Sequence, residues 1–172
     1  MNCGQLLARS FGRAQEVLDK ATEGLTRAEI AWRAGPEANP AGFILWHLSR
    51  VEDRMINDIV LQRAQVWTEG SWHEKLGLSE DPKVTGFNFT GEQVDAFPVL
   101  ELEALLGYQR AVRQTTLAFI NGLAESEFDR PVSHWHEKDI PLAALLGRTV
   151  VHVSQHAGQI DFIKGLVRNR PA

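Results

Sequence analysis

Apolar residues recur at helical spacing in four parts of the chain. Leu7, Phe11, Ala14, Leu18 and Ala21 are spaced four, three, four and three residues apart, which puts them on one face of a helix. They predict a first helix over 3–23, ending near Gly24. Ile44, Leu48, Val51, Met55 and Ile59 predict a second over 40–63, with Asn39 as N-cap and Pro40 as its first residue. Leu102, Leu105, Val112, Phe119 and Leu123 predict a third over 98–122. Leu142, Leu145, Thr149, His152, His156, Ile160 and Ile163 predict a fourth over 140–167, capped by Asp139. Residues 64–97 and 124–139 lose the period, and the first of these contains Gly70, Gly77, Gly86 and Gly91. Both read as loops with short helical turns. The segment "KVTGFNFTG" is the one candidate for a short strand. Loops this long in a compact domain are often lids or site walls.

Helices of bundle length with one long connection predict an all-α four-helix bundle, in one domain over 1–172. The long 64–97 connection is a crossover that lets the second and third helices run parallel. Composition narrows the function classes. The chain is 44% apolar and 23% charged, as in an ordinary globular protein. A net charge of −4 and the lack of a Lys/Arg block argue against nucleic acid or an anionic membrane as partner. No apolar run is long enough to cross a bilayer, and the N-terminus lacks the apolar core of a signal peptide. Cys3 is the single cysteine, so no intrachain disulfide can form, which favours a cytoplasmic location. Its place in an N-terminus expected to fray makes it a poor nucleophile.

Candidate chemistry comes from the histidines. His152 and His156 are four residues apart, so they share a helix face, and the apolar stripe carries them inward. A buried neutral imidazole needs partners for both ring nitrogens. A metal ion satisfies one nitrogen of each. The alternative is two core histidines bonded to Thr149, Gln159 or water, and spacing alone does not separate the two. His47 lies between Ile44 and Val51, on or beside the inward stripe of the second helix. Three imidazoles could then meet across the core. Three protein nitrogens with one open position are the usual arrangement of a catalytic zinc site, and imidazole also suits nickel, copper and iron. His73, His134 and His136 lie in loops and read as solvated. Glu52 and Asp53 follow His47 by five and six residues and read as facing solvent, in a helix face, "VEDRMINDIVLQR", that looks solvated. There is no glycine-rich phosphate loop and no H-E-x-x-H motif.

The segments "GFILWHLSRVED" and "VHVSQHAGQI" resemble the DinB/YfiT-like superfamily of metalloenzymes. The resemblance covers most of the chain. It implies a four-helix bundle in up-down-down-up order and one divalent metal ion, zinc or nickel, on His47, His152 and His156. It also implies a homodimer. Gly158 and Gln159 fit the family, whereas Gln155 stands where many relatives carry another histidine. Characterised relatives are transferases and isomerases that use a low-molecular-weight thiol such as mycothiol or bacillithiol. The expected function is therefore metal-dependent thiol transfer or isomerisation on a small-molecule substrate. Trp67, Trp72, Phe87, Phe89 and Trp135 are candidates for pocket walls or for loop anchors. Hydrolysis by a metal-bound hydroxide, or a non-catalytic metal-binding role in a stress response, are the alternatives.

Overall fold

The computed structural model describes residues 1–134 and 137–169. In chain order the elements are α1 (Cys3–Thr22), α2 (Arg27–Ala31), α3 (Ala41–Asp53) and a π-helical continuation of α3 (Arg54–Val60). The crossover follows with the short helices α4 (Val66–Glu69), α5 (Trp72–Leu76) and α6 (Gly91–Asp95). Then come α7 (Leu102–Gly122), a 3-10 turn (Glu125–Asp129), β1 (Pro131–Val132), β2 (Ile140–Pro141) and α8 (Leu142–Asn169). The all-α expectation holds, with one minor addition. The two-residue strands pair antiparallel, Pro131 opposite Pro141 and Val132 opposite Ile140. The "KVTGFNFTG" stretch forms no strand. No described helix is long and apolar enough to cross a membrane.

Local chemistry sets the helix starts. Asn2 caps α1 through a capping box: its side chain accepts from the Gln5 amide at 2.8 Å, and Gln5 accepts from the Asn2 amide at 3.2 Å. Cys3 is thus the first residue of a capped helix, and its amide donates to Glu125 at 3.0 Å, so this end does not fray. Thr26 with Glu29 and Thr90 with Gln93 make the same box at α2 and α6. Pro40, not Asn39, is the N-cap of α3, and no side chain caps it. Asp139 does not cap the last helix either. It has a positive φ of 54° and precedes β2, and the Leu142 amide instead donates to the Arg130 carbonyl at 2.9 Å.

The four long helices enclose the core. α1 packs against α7 and α8, and α3 packs against the same two. The Phe11 carbonyl accepts from Arg113 and Gln15 bonds Gln109, so α1 and α7 run in opposite directions. Ile44 clusters with Leu105 and Ile56 with Ile120, so α3 and α7 run the same way. One apolar cluster gathers Leu18, Ile44, Trp46, Leu105, Val153 and Ile160. A second gathers Phe11, Ile56, Ile120, Phe128, Leu142 and Leu145.

Between these clusters the chain buries charge, which corrects the solvent-facing reading of Glu52 and Asp53. Both are 0% exposed. Arg113 donates to both oxygens of Glu52, at 2.8 and 2.7 Å, and Thr116 donates to one of them at 2.8 Å. Asp53 accepts from the Val66 and Trp67 amides at 3.0 and 2.9 Å, from Asn57 at 2.7 Å and from the Tyr108 hydroxyl at 2.7 Å. A buried carboxylate is tolerated only when its lone pairs are filled in this way. Asp53 thereby ties the start of the crossover to α3 and α7. Trp67, its indole N–H on the Ser79 carbonyl at 3.0 Å, and Trp72, packed on Tyr108, anchor this crossover. Phe89 packs on Phe43 and Trp46, Phe87 is exposed, and Trp135 lies outside the described residues.

Candidate metal centre

α3 and α8 supply the site from facing surfaces. Every residue of α3 except His47 is buried. His47 is half-buried, as are His152 and His156 on α8. The ring centroid of His47 is 5.3 Å from that of His152 and 5.0 Å from that of His156, and the α8 pair is 4.4 Å apart. One ligand atom from each ring lies within 4.8 Å of the others. The structure therefore brings together the three histidines that spacing and resemblance singled out.

Hydrogen bonds fix which nitrogen faces the centre. The Thr85 carbonyl is 2.6 Å from His47 Nδ1. A carbonyl only accepts, so this nitrogen carries the proton and Nε2 keeps its lone pair. Gln159 Oε1 is 2.6 Å from His156 Nδ1 and sets the same tautomer, one turn along α8. His152 Nδ1 is buried without a protein hydrogen-bond partner. Its Nε2 is 3.1 Å from His156 Nε2. Two lone pairs at that distance repel unless a proton or a cation lies between them.

Burial holds all three rings neutral. Desolvation lowers the pKa of His47 against the opposing hydrogen bond it donates to the Thr85 carbonyl, and the charge His156 would carry adds to the lowering. His152 is pushed down to about 3 by desolvation and by the two neighbouring imidazoles. Desolvation also lowers His156, against the hydrogen bond it donates to Gln159. Neutral imidazole is the form that binds metal.

The donor set fits a divalent ion of the zinc type. Nitrogens about 2.0–2.1 Å from a tetrahedral zinc lie about 3.3 Å from one another. The 3.1 Å between His152 and His156 is close to that spacing. His73 is near Trp67, with Nδ1 3.5 Å from its carbonyl, and His134 is 3.9 Å from Glu137. Neither belongs to the cluster, and His136 lies outside the described residues. Among the described residues no fourth His, Cys, Asp or Glu joins the three.

The sequence reading missed the carrier of the Thr85 carbonyl. The 82–86 segment crosses over α3, and Arg50, fully buried one turn after His47, donates to two of its carbonyls. Its only sequence signal is an Arg within the apolar run after His47.

A helical bundle with three inward imidazoles on two of its long helices defines a class of candidate metal-binding bundle proteins. The chain matches the DinB superfamily over residues 10–160, and it belongs to that superfamily. A comparison with curated proteins finds no match. Among solved structures it is similar to a conserved protein of Enterococcus faecalis, at 20% identity over 99% of each chain and a TM-score of 0.85. At that identity the likeness speaks for the fold.

Proposed function

We propose that the protein is a divalent-metal-dependent enzyme that joins a low-molecular-weight thiol to a small electrophile, or isomerises a substrate through such a thiol adduct. The observation that carries this reading is the convergence of the His47, His152 and His156 nitrogens, kept neutral by burial. Zinc or nickel on three neutral ligands would keep its positive charge and an open position, and would lower the pKa of a thiol or water there.

The chain's own residues supply the rest. Thr85 and Gln159 orient two of the rings. A cavity of about 480 Å³ opens beside His152, lined by Val51, Met55, Thr149, Val151 and Gln155. Its mostly apolar wall suits the carbon skeleton of an electrophile. Hydrolysis would call for a carboxylate base. The two carboxylates that follow His47 are both engaged, Glu52 by Arg113 and Thr116, Asp53 by two amides and Tyr108. A closed structural site would fill four protein positions, and three are found among the described residues. The family resemblance adds a homodimer to the proposal, and a monomer by sedimentation at micromolar concentration would remove that part.

Protein purified without an affinity tag should carry close to one zinc or nickel per chain. The His152→Ala, His156→Ala double variant should carry none. The metal-loaded protein is then offered bacillithiol, mycothiol, glutathione and coenzyme A with a chlorobimane. One thiol should react faster than background, and His47→Ala should abolish the gain. A full metal site with no thiol above background would leave a metal-binding protein without this activity.

A further inference from the structure

Arg50 is 0% exposed and pairs with the buried Asp53 carboxylate only at 3.6 Å, too long for a direct hydrogen bond. Its guanidinium makes four hydrogen bonds besides this ion pair. Nη2 donates to the Pro82 carbonyl at 2.8 Å and Nε to the Val84 carbonyl at 3.2 Å. Nη1 donates to Gln65 Oε1 at 2.8 Å and to the Tyr108 hydroxyl at 3.0 Å. The guanidinium carbon is 4.4 Å from the centroid of Trp67. Gln65 reinforces the clamp, because its Nε2 donates to the same Pro82 carbonyl at 3.0 Å. A planar fork with five N–H donors suits this task, and a single ammonium does not.

The clamped carbonyls are the neighbours of the one that matters at the site. Val84 directly precedes Thr85, whose carbonyl accepts the hydrogen bond from His47 Nδ1–H at 2.6 Å. His47 and Arg50 lie three residues apart on α3, so both project toward the 82–86 segment. The same helix carries the ligand and pins the chain that orients it. Asx-type bonds at Asp81, including the Lys83 amide at 2.9 Å, shape the approach to Pro82 but do not reach α3.

We propose that Arg50 is a positioning residue of the metal centre, which fixes the His47 Nδ1–H tautomer by clamping the Pro82 and Val84 carbonyls on either side of Lys83, one bond short of Thr85. This rests on the metal reading above, and the test separates the two. Long-range ¹⁵N NMR of the metal-free protein reads the tautomer of His47 directly, and cobalt(II) titration reads affinity and the visible absorption of the site. In the wild type His47 is expected as Nδ1–H. Arg50→Lys keeps the charge but cannot span both carbonyls. It should give a mixture of His47 tautomers, shifted cobalt bands and an affinity lower by about 10–100-fold. Gln65→Leu removes one arm of the clamp and should shift the same readouts less. Arg113→Lys disturbs the other buried ion pair and touches none of residues 82–86, so it should leave tautomer and affinity as in the wild type. The proposal is overturned if folded Arg50→Lys keeps the wild-type tautomer and affinity, or if Arg113→Lys shifts both as far. Should Arg50→Lys not fold, Gln65→Leu decides by the same criteria. Wild-type protein that takes up no cobalt would instead sink the metal reading, while the tautomer populations would still decide the role of Arg50.

Discussion

Gly86 has a φ of +82°, and a Cβ there would lie 2.7 Å from Trp46 and 2.8 Å from Phe43. Both neighbours are rigid rings in the apolar cluster, so neither can move aside without disturbing other contacts. The residue before it is Thr85, which orients His47. Gly86→Ala should therefore act twice. Left-handed backbone strain and overpacking each cost about 1–3 kcal/mol. The displaced Thr85 carbonyl should also weaken metal binding. Urea unfolding and a cobalt titration measure the two effects, and wild-type values in both would show that the backbone at 86 tolerates a side chain. At this scale the sequence was legible where chemistry and period coincide. His152 and His156 stood on an apolar stripe at helical spacing, and His47 stood in another. It was illegible where a backbone carbonyl orients a side chain, because Thr85 and Gly86 lie in a segment with no period to place them.

α3 shows why a regular period can mislead. The stripe Ile44, Leu48 and Val51 is buried as expected, but Met55 and Ile59 are only half-buried. From Arg54 the helix is of the π type, which inserts a residue into the turn and rotates the later positions. Ile56, Asn57 and Val60 then face inward. The α7 stripe holds at Leu105 and Val112 but is incomplete for another reason. Gln109, Arg113 and Thr116 are buried beside Val112, and a pattern that reads polar as exposed assigns them to solvent. What pays for their burial is pairing across helices, which one sequence does not reveal. Glu52 on α3 and Arg113 on α7 make the tightest such link, with Phe11 of α1 as a third anchor. Glu52→Ala would strand the Arg113 charge in the core and should cost about 3–5 kcal/mol. Replacing both, as Glu52→Leu with Arg113→Met, should cost much less, because no buried charge is left alone. Urea midpoints of the two variants give the comparison. Equal losses would mean that packing, not the unpaired charge, sets the penalty.

For the molecule as a whole, the buried histidine cluster is also a store of destabilisation in acid. In the unfolded chain each imidazole titrates near its ordinary value of about 6.5. In the folded, metal-free chain burial lowers the pKa of His47 and His156, and lowers that of His152 to about 3. Between the folded and unfolded values the unfolded chain binds more protons, so stability rises with pH across that window. Equivalently, the stability present above about pH 6.5 is lost as the pH falls, and for His152 the loss continues to about 3. Glu29 acts in the same direction at lower pH. The Arg168 guanidinium bonded to it and its capping bond with Thr26 bring its carboxyl down to about 2 from an ordinary 4.5. The two contributions separate, because carboxylates hardly titrate above about pH 5.5. Chelator-treated protein should therefore lose stability between about pH 6.5 and 5.5, before its carboxylates respond. Replacing His47, His152 and His156 by Gln should flatten that interval and leave the loss below it in place. Adding zinc at a hundred times its Kd should raise stability by about 2.7 kcal/mol near neutral pH. That gain should shrink in acid, where protons compete for the same nitrogens. Thermal unfolding at half-unit pH steps, with and without zinc, measures all of this. A metal-free wild type with flat stability from 6.5 to 5.5 would show that the three rings are solvated enough to protonate in the folded chain, and their neutrality could then no longer support the metal reading.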